Sequence, residues 1–201
     1  MKKVFIFAAT AVVAGAIVAG CGSSKQTSSA RGAVEIKLNA CEEYALMSPA
    51  TRAFGKGSHF EESAAREIAE LEARAEFARK IATATTSAAT TDRTSMTLYS
   101  GDTKSGDKVS DQATKISTFA EGIAKQMVSN TVIVKMTKFM LPNDQFEVWV
   151  CLEYKEGVAA LAQNIANSMK QRISDDDKMK MNFEFDQYRK RVEAELAKRQ
   201  Q

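Results

Sequence analysis

The sequence predicts an α+β fold: a small, mainly antiparallel sheet packed against long helices, with a helical C-terminus. Two adjacent segments, Thr131–Met140 and Phe146–Tyr154, read as strands, and Pro142-Asn143-Asp144 between them supplies turn chemistry. The segments on either side repeat apolar residues every three or four positions, which is the period of a helix. The 201 residues are 44% hydrophobic and 26% charged, with only 2 Pro. That composition excludes a wholly disordered or proline-rich chain and allows one well-buried core.

The N-terminal residues read as an address. Lys2 and Lys3 precede a stretch from Val4 to Gly20 that carries no charge, the pattern of a secretory signal. Its many Ala and Gly residues make it weakly apolar for a membrane span. The stretch ends in Val18-Ala19-Gly20-Cys21, which resembles a bacterial lipobox. Cleavage is then expected between Gly20 and Cys21, with Cys21 acylated. Several acyl chains hold firmly where one binds reversibly, since each buried CH₂ contributes about 0.8 kcal/mol. Gly22 is not Asp, and residues 22–29 hold no acid. Both features point to an outer-membrane lipoprotein facing the periplasm. The Ser-rich stretch 21–32 reads as a flexible tether to a domain spanning 33–201.

In the body of the chain, Val34–Ala40 alternates strictly and predicts a half-buried strand, and Pro49 with Gly55-Lys56-Gly57 predicts a turn region whose glycines supply positive φ. A long helix is expected from about Phe60 to Thr86, capped by Ser58 with Glu61. Its packing face is read as Ala64, Ile68, Leu71, Ala75, Ala78 and Ala82, a stripe that either lies on the sheet or mediates self-association. From Thr83 to Asp107, 12 of 25 residues are Ser or Thr, which predicts a long loop with a short strand near Met96–Tyr99. A helix is expected over Asp111–Ser129, with Ile116, Phe119, Ile123 and Met127 on one side. In the second strand of the hairpin, Phe146, Val148, Val150, Leu152 and Tyr154 form the apolar face. Two helices finish the chain: Glu156–Ile173, with Val158, Leu161, Ala162, Ile165, Met169 and Ile173 inward, and a last one from Asp176, with Met181, Phe185, Tyr188, Val192 and Leu196 inward.

Few residues carry chemistry. With Cys21 lipidated, Cys41 and Cys151 remain as an even pair in an oxidising compartment. Each is expected on the less apolar face of a strand, and either a disulfide or two packed thiols satisfies the sequence. A bridge over that span would stabilise by roughly 4 kcal/mol or more in the chain-entropy model. His59 is the single histidine and has no ligand spacing around it, so neither a metal site nor a cofactor is expected. Glu61-Glu62 and Asp175-Asp176-Asp177 read as solvated charge at helix starts. No nucleophile-elbow, phosphate-loop, zinc-protease or EF-hand pattern appears, and the expectation is a non-enzyme. The basic residues Arg189, Lys190, Arg191, Lys198 and Arg199 alternate with acids and read as a mixed-sign helix face. The formal charge of +3 falls to +1 without Lys2 and Lys3, giving no support to nucleic-acid binding.

Phe54-Gly55-Lys56-Gly57, then Ala64, Ala65 and Ala69, then Ala73-Arg74-Ala75-Glu76-Phe77-Ala78-Arg79-Lys80-Ile81 resemble the Lpp-twenty lipoprotein family over about residues 50–155. Phe77 stands where Leu is usual, and Val148-Trp149 replaces a tyrosine-rich dipeptide. The resemblance implies a small α+β domain on an outer-membrane lipoprotein, an association with envelope assemblies in some relatives, and no catalytic residues. The expected function is a lipid-anchored structural or protein-interaction component of the cell envelope, bound to the membrane through Cys21 and to envelope proteins or further copies of itself. The alternative is a periplasm-facing module for a small ligand or peptidoglycan fragment, with residues 83–107 as a lid.

Overall fold

The computed structural model describes residues 37–90, 105–175, 178 and 183–198. Met1–Lys37 and Leu38–Gln201 are separate units, and every described helix and strand belongs to the second. The fold is α+β. In chain order the described elements are α1 (Ala40–Leu46), β1 (Arg52–His59), α2 (Glu62–Thr90), α3 (Ser105–Ser129), β2 (Val132–Met140), β3 (Phe146–Glu153), α4 (Gly157–Arg172) and α5 (Phe185–Ala197). The strands form one antiparallel sheet in the order β1-β3-β2.

The hairpin β2–β3 forms where the sequence places it. Asp144 takes a positive φ of 59° in the turn, a conformation that Asp tolerates better than most residues. Register is Met140 to Phe146 at the turn and Val132 to Glu153 at the far end, with an irregularity between Ile133 and Lys135. Val148, Val150 and Leu152 point to one face and are fully buried against Ala65, Ala69 and Ala73 of α2. Glu147, Trp149, Cys151 and Glu153 point to the other face by the two-residue alternation of a strand. There α1 covers Cys151 with Cys41 and Ala45.

Two expectations are overturned at the start of the domain. Lys37, Leu38 and Asn39 form no strand, and α1 begins at Ala40. Asn39 explains why. Its Oδ1 accepts from the Cys41 N–H at 2.8 Å while its own N–H donates to Glu42 Oε2 at 2.6 Å. This capping box starts a helix at the end of the alternating run. The beginning of that run, residues 34–36, lies outside the described residues. Gly55-Lys56-Gly57, read as a turn, is instead the centre of β1, and neither glycine has a positive φ.

The reason for those glycines is the approach of α2. A Cβ on Gly55 would lie 2.2 Å from the Ala73 nitrogen and 2.3 Å from the Ala69 oxygen. One on Gly57 would lie 2.1 Å from the Ala65 oxygen. Helix backbone therefore rests directly on strand backbone, which only Gly against Ala permits. This contact sets the rotation of α2 and corrects its predicted face. Ala65, Ala69, Ala73, Phe77, Ile81, Ala84 and Ala88 are buried, whereas Ile68 is 42% and Leu71 68% exposed. The predicted Ser58 cap also fails, because Ser58 belongs to β1 and His59 Nδ1 accepts from the Glu61 N–H at 3.0 Å instead.

The Ser/Thr-rich segment is helical to Thr90 and again from Ser105, so the loop read over 83–107 is shorter at both ends. Threonine hydroxyls there bond back into the helix, as from Thr83 to the Arg79 carbonyl at 2.8 Å, so their polar groups are satisfied without leaving the helical path. The strand expected at Met96–Tyr99 lies outside the described residues. A second core joins Phe77, Ile81 and Ala88 of α2 to Ile116, Ile123 and Met127 of α3, Leu161, Ile165 and Met169 of α4, and Tyr188, Val192 and Leu196 of α5. The segment read as one helix from Asp176 is divided: Asp175 and Lys178 are helical, Phe183 and Glu184 are not, and the last helix runs Phe185–Ala197. Glu184 is extended, with φ −102° and ψ 113°, and Phe183 leaves the helical path to pack on Tyr188 at 5.4 Å. Met181 lies outside the described residues.

Candidate functional site

Gly20 and Cys21, the expected cleavage and lipidation positions, lie outside the described residues. The other candidate residues, Cys41 and Cys151, are brought together by the seating of α1 on the sheet. Both are fully buried in one small cluster with Ala45, and both are free thiols in this structure. Cys41 sits on a helix, not on the strand the sequence suggested. Its Sγ lies 3.6 Å from the Trp149 carbonyl oxygen and 3.9 Å from Thr137 Oγ1. Thr137 Oγ1 also donates to Asn39 Oδ1 at 3.1 Å, so the side chain that caps α1 is fixed to β2 as well.

Burial pushes the Cys41 thiol up, against a hydrogen bond from Thr137 and the charge of Lys135 that favour the thiolate. Cys151 is pushed up to about 12, first by burial and then by the neighbouring Cys41. The nucleophile and metal ligand is the thiolate, so burial under α1 disfavours the reactive form of both groups.

The sheet face around the thiols holds a set of aromatic and ionic contacts that the sequence did not single out. Arg52 donates from Nε to Glu153 Oε1 at 2.7 Å and from Nη1 to the Tyr44 carbonyl at 3.1 Å. Its guanidinium lies 3.8 Å above the Tyr44 ring. The planar fork of Arg thus ties the end of α1 to β1 and β3 at once. Further along the face, Lys56 pairs with Glu147 at 2.7 Å, and Trp149 Nε1 donates to the same carboxylate at 2.8 Å. These two donors, Lys56 foremost, hold the Glu147 carboxyl below the usual range. Phe54 stacks on Trp149 with centroids 6.0 Å apart. The signal for this cluster was the two-residue alternation of β3, which puts Glu147, Trp149 and Glu153 on one face. Its partners on β1 stay hidden as long as Gly55-Lys56-Gly57 reads as a turn.

The arrangement clamps α1 to the sheet: the carboxylates of Glu147 and Glu153 each accept from a cation, and burial favours the protonated form of both thiols. His59 is exposed at the end of β1, its Nδ1 engaged with the Glu61 N–H. Among the described residues, no group of three His, Cys, Asp or Glu side chains is placed to hold a metal ion, and no helix is long and apolar enough to cross a membrane. Asp175 pairs with Lys178 at 2.7 Å, which lowers its pKa, while Asp176 and Asp177 lie outside the described residues. The mixed charges of α5 pair locally, Arg189 with Glu193 within the helix and Glu195 with Lys198 at its C-cap.

No family model, curated protein or solved structure matches the chain.

Proposed function

We propose that this chain is a lipid-anchored, non-enzymatic structural or protein-interaction component of the bacterial cell envelope, held in the outer membrane and facing the periplasm through acyl chains on Cys21. The observation that carries the reading is Val18-Ala19-Gly20-Cys21 at the end of a charge-free stretch, followed by a Ser-rich spacer. The resemblance of residues 50–155 to the Lpp-twenty lipoproteins supports the same assignment. The interaction role draws support from apolar side chains left in solvent on the folded domain, notably Ile68 and Leu71 on α2 and Phe139 and Met140 at the end of β2.

The test is metabolic labelling with a fatty-acid analogue, paired with alkaline extraction of membranes. The full chain is expected to take up label and stay in the alkali-washed membrane. Cys21→Ala is expected to lose the label and the alkali-resistant association. A variant that remains membrane-bound and labelled after Cys21→Ala would refute the anchor.

A further inference from the structure

The first half of α2 carries two apolar stripes. One, Ala65-Ala69-Ala73, is used up against Gly55 and Gly57 of β1. The other, Ala64-Ile68-Leu71-Ala75, runs along the outer side with Ile68 42% and Leu71 68% exposed. Its spacing of four, three and four residues is a heptad seam, with Ile68 at an a position and Leu71 at d. On that assignment Glu67 and Arg74 occupy g positions, and Glu72 and Arg79 occupy e positions.

We infer that this stripe is an interface with a second copy of the same chain, and that the two α2 helices pair antiparallel about a two-fold axis. The charges select both occupant and direction. In an antiparallel pair, g faces g across the seam, which sets Glu67 of each copy opposite Arg74 of the other, an attraction made twice by symmetry. In a parallel pair, g faces e, which sets Glu67 against Glu72 and Arg74 against Arg79, a like-charge contact at every position. The neighbouring charges on α2 are already engaged within the helix. Arg66 pairs with Glu70 at 2.8 Å, Arg79 with Glu76 at 2.9 Å and with Glu72 at 3.5 Å. Glu67 and Arg74, by contrast, have no ion-pair partner among the described residues. The seam layers are Ile68 on Leu71 and Ala64 on Ala75, and the alanines let the helix backbones come close. Four positions per helix make a small interface, at the weak end of specific association. The inference rests on the lipid-anchored reading in one respect: two copies tethered to one membrane face meet at a high effective concentration.

The experiment is sedimentation velocity of the lipidated full chain in a mild nonionic detergent over a concentration series. A reversible dimer is expected, and Leu71→Glu is expected to abolish it, at a residue exposed enough that folding is unaffected. Glu67→Arg alone and Arg74→Glu alone each turn both symmetry-related attractions into repulsions and are expected to weaken the dimer about tenfold. The double variant Glu67→Arg/Arg74→Glu restores the attractions and is expected to return within about twofold of the parent. A chain that stays monomeric up to about 0.5 mM, a dimer that Leu71→Glu leaves intact, or a double variant weaker than either single one would each overturn the proposal. A labelled, alkali-resistant monomer would sink the seam and leave the anchor standing, so the two readings fail separately.

Discussion

Replacing Gly55 by Ala tests the central contact of the fold with one methyl group. The added carbon would fall 2.2 Å from the Ala73 nitrogen and 2.3 Å from the Ala69 oxygen, whereas ordinary van der Waals contact begins at 3.4 Å. The shortfall is about 1.2 Å. Both obstructing atoms are helix backbone, so no side chain can rotate away, and α2 must lift from the sheet. A gap of about 1 Å forfeits a quarter to a half of the dispersion energy of each facing contact. That loss falls on the whole layer formed by Ala65, Ala69 and Ala73 with Val148, Val150 and Leu152. Overpacking a core costs about 1–3 kcal/mol, and this site belongs at the upper end. At about 2–4 °C per kcal/mol for a domain of this size, Gly55→Ala lowers Tm by about 6–12 °C. The matched control is Gly122→Ala in α3. There the three atoms nearest the new Cβ all belong to the Arg172 guanidinium, the first at 2.8 Å, and a long exposed side chain can swing aside. The exchange removes glycine's entropy cost in a helix, so it is neutral or stabilising by about 0.5–1 kcal/mol. Thermal unfolding followed by far-UV circular dichroism measures both variants. A Gly55→Ala protein melting within about 2 °C of the parent would refute the backbone-on-backbone packing.

In reduced protein, Cys151 with a pKa raised from about 9 to about 12 binds its proton more tightly folded than unfolded, so its contribution is complete below pH 9 and is lost as pH rises towards 12. Unfolding free energies from denaturant titrations between pH 9 and 12 are therefore expected to fall more steeply, by up to about 1.4 kcal/mol per pH unit, in the parent than in Cys151→Ala; equal slopes would contradict the shift. Because Cys41 and Cys151 share one buried cluster, equilibration with glutathione disulfide during refolding is expected to link them within one chain, read by mass spectrometry of the 41–151 crosslinked peptide; recovery of two alkylatable thiols would exclude the bridge. Arg52→Ala removes the Glu153 pair and the Tyr44 contact together and is expected to cost about 1–3 kcal/mol, with faster amide exchange in α1. Tyr188→Phe removes a buried hydrogen bond to the Thr85 carbonyl at 3.3 Å and is expected to cost about 0.5–1.5 kcal/mol in urea unfolding.

The parts of the fold that the sequence declares by itself are those held by local rules. The β2–β3 hairpin follows from a β-branched, apolar run before a Pro-Asn-Asp turn and strict alternation after it. The inward face of α4 follows from a single apolar stripe that admits only one rotation, and α3 follows for the same reason. The candidate cysteines are equally visible as residues, but their surroundings are not. Cys41 belongs to a helix because Asn39 and Glu42 close a capping box, a local signal that competes with the alternation running into it.

Tertiary structure alone decided β1, the rotation of α2 and the meeting of the thiols. Gly55-Lys56-Gly57 carries neither the β-branched side chains that announce a strand nor a pattern separating strand from turn. Its meaning lies in the absence of Cβ atoms where the next helix touches down. The two apolar stripes of α2 have the same period, so periodicity could not choose between them. The choice fell to the one whose members are all alanine, because a strand bared by two glycines admits backbone at a distance that Ile68 or Leu71 would forbid. That steric selection buries Ala65, Ala69 and Ala73 and leaves Ile68 and Leu71 facing outward.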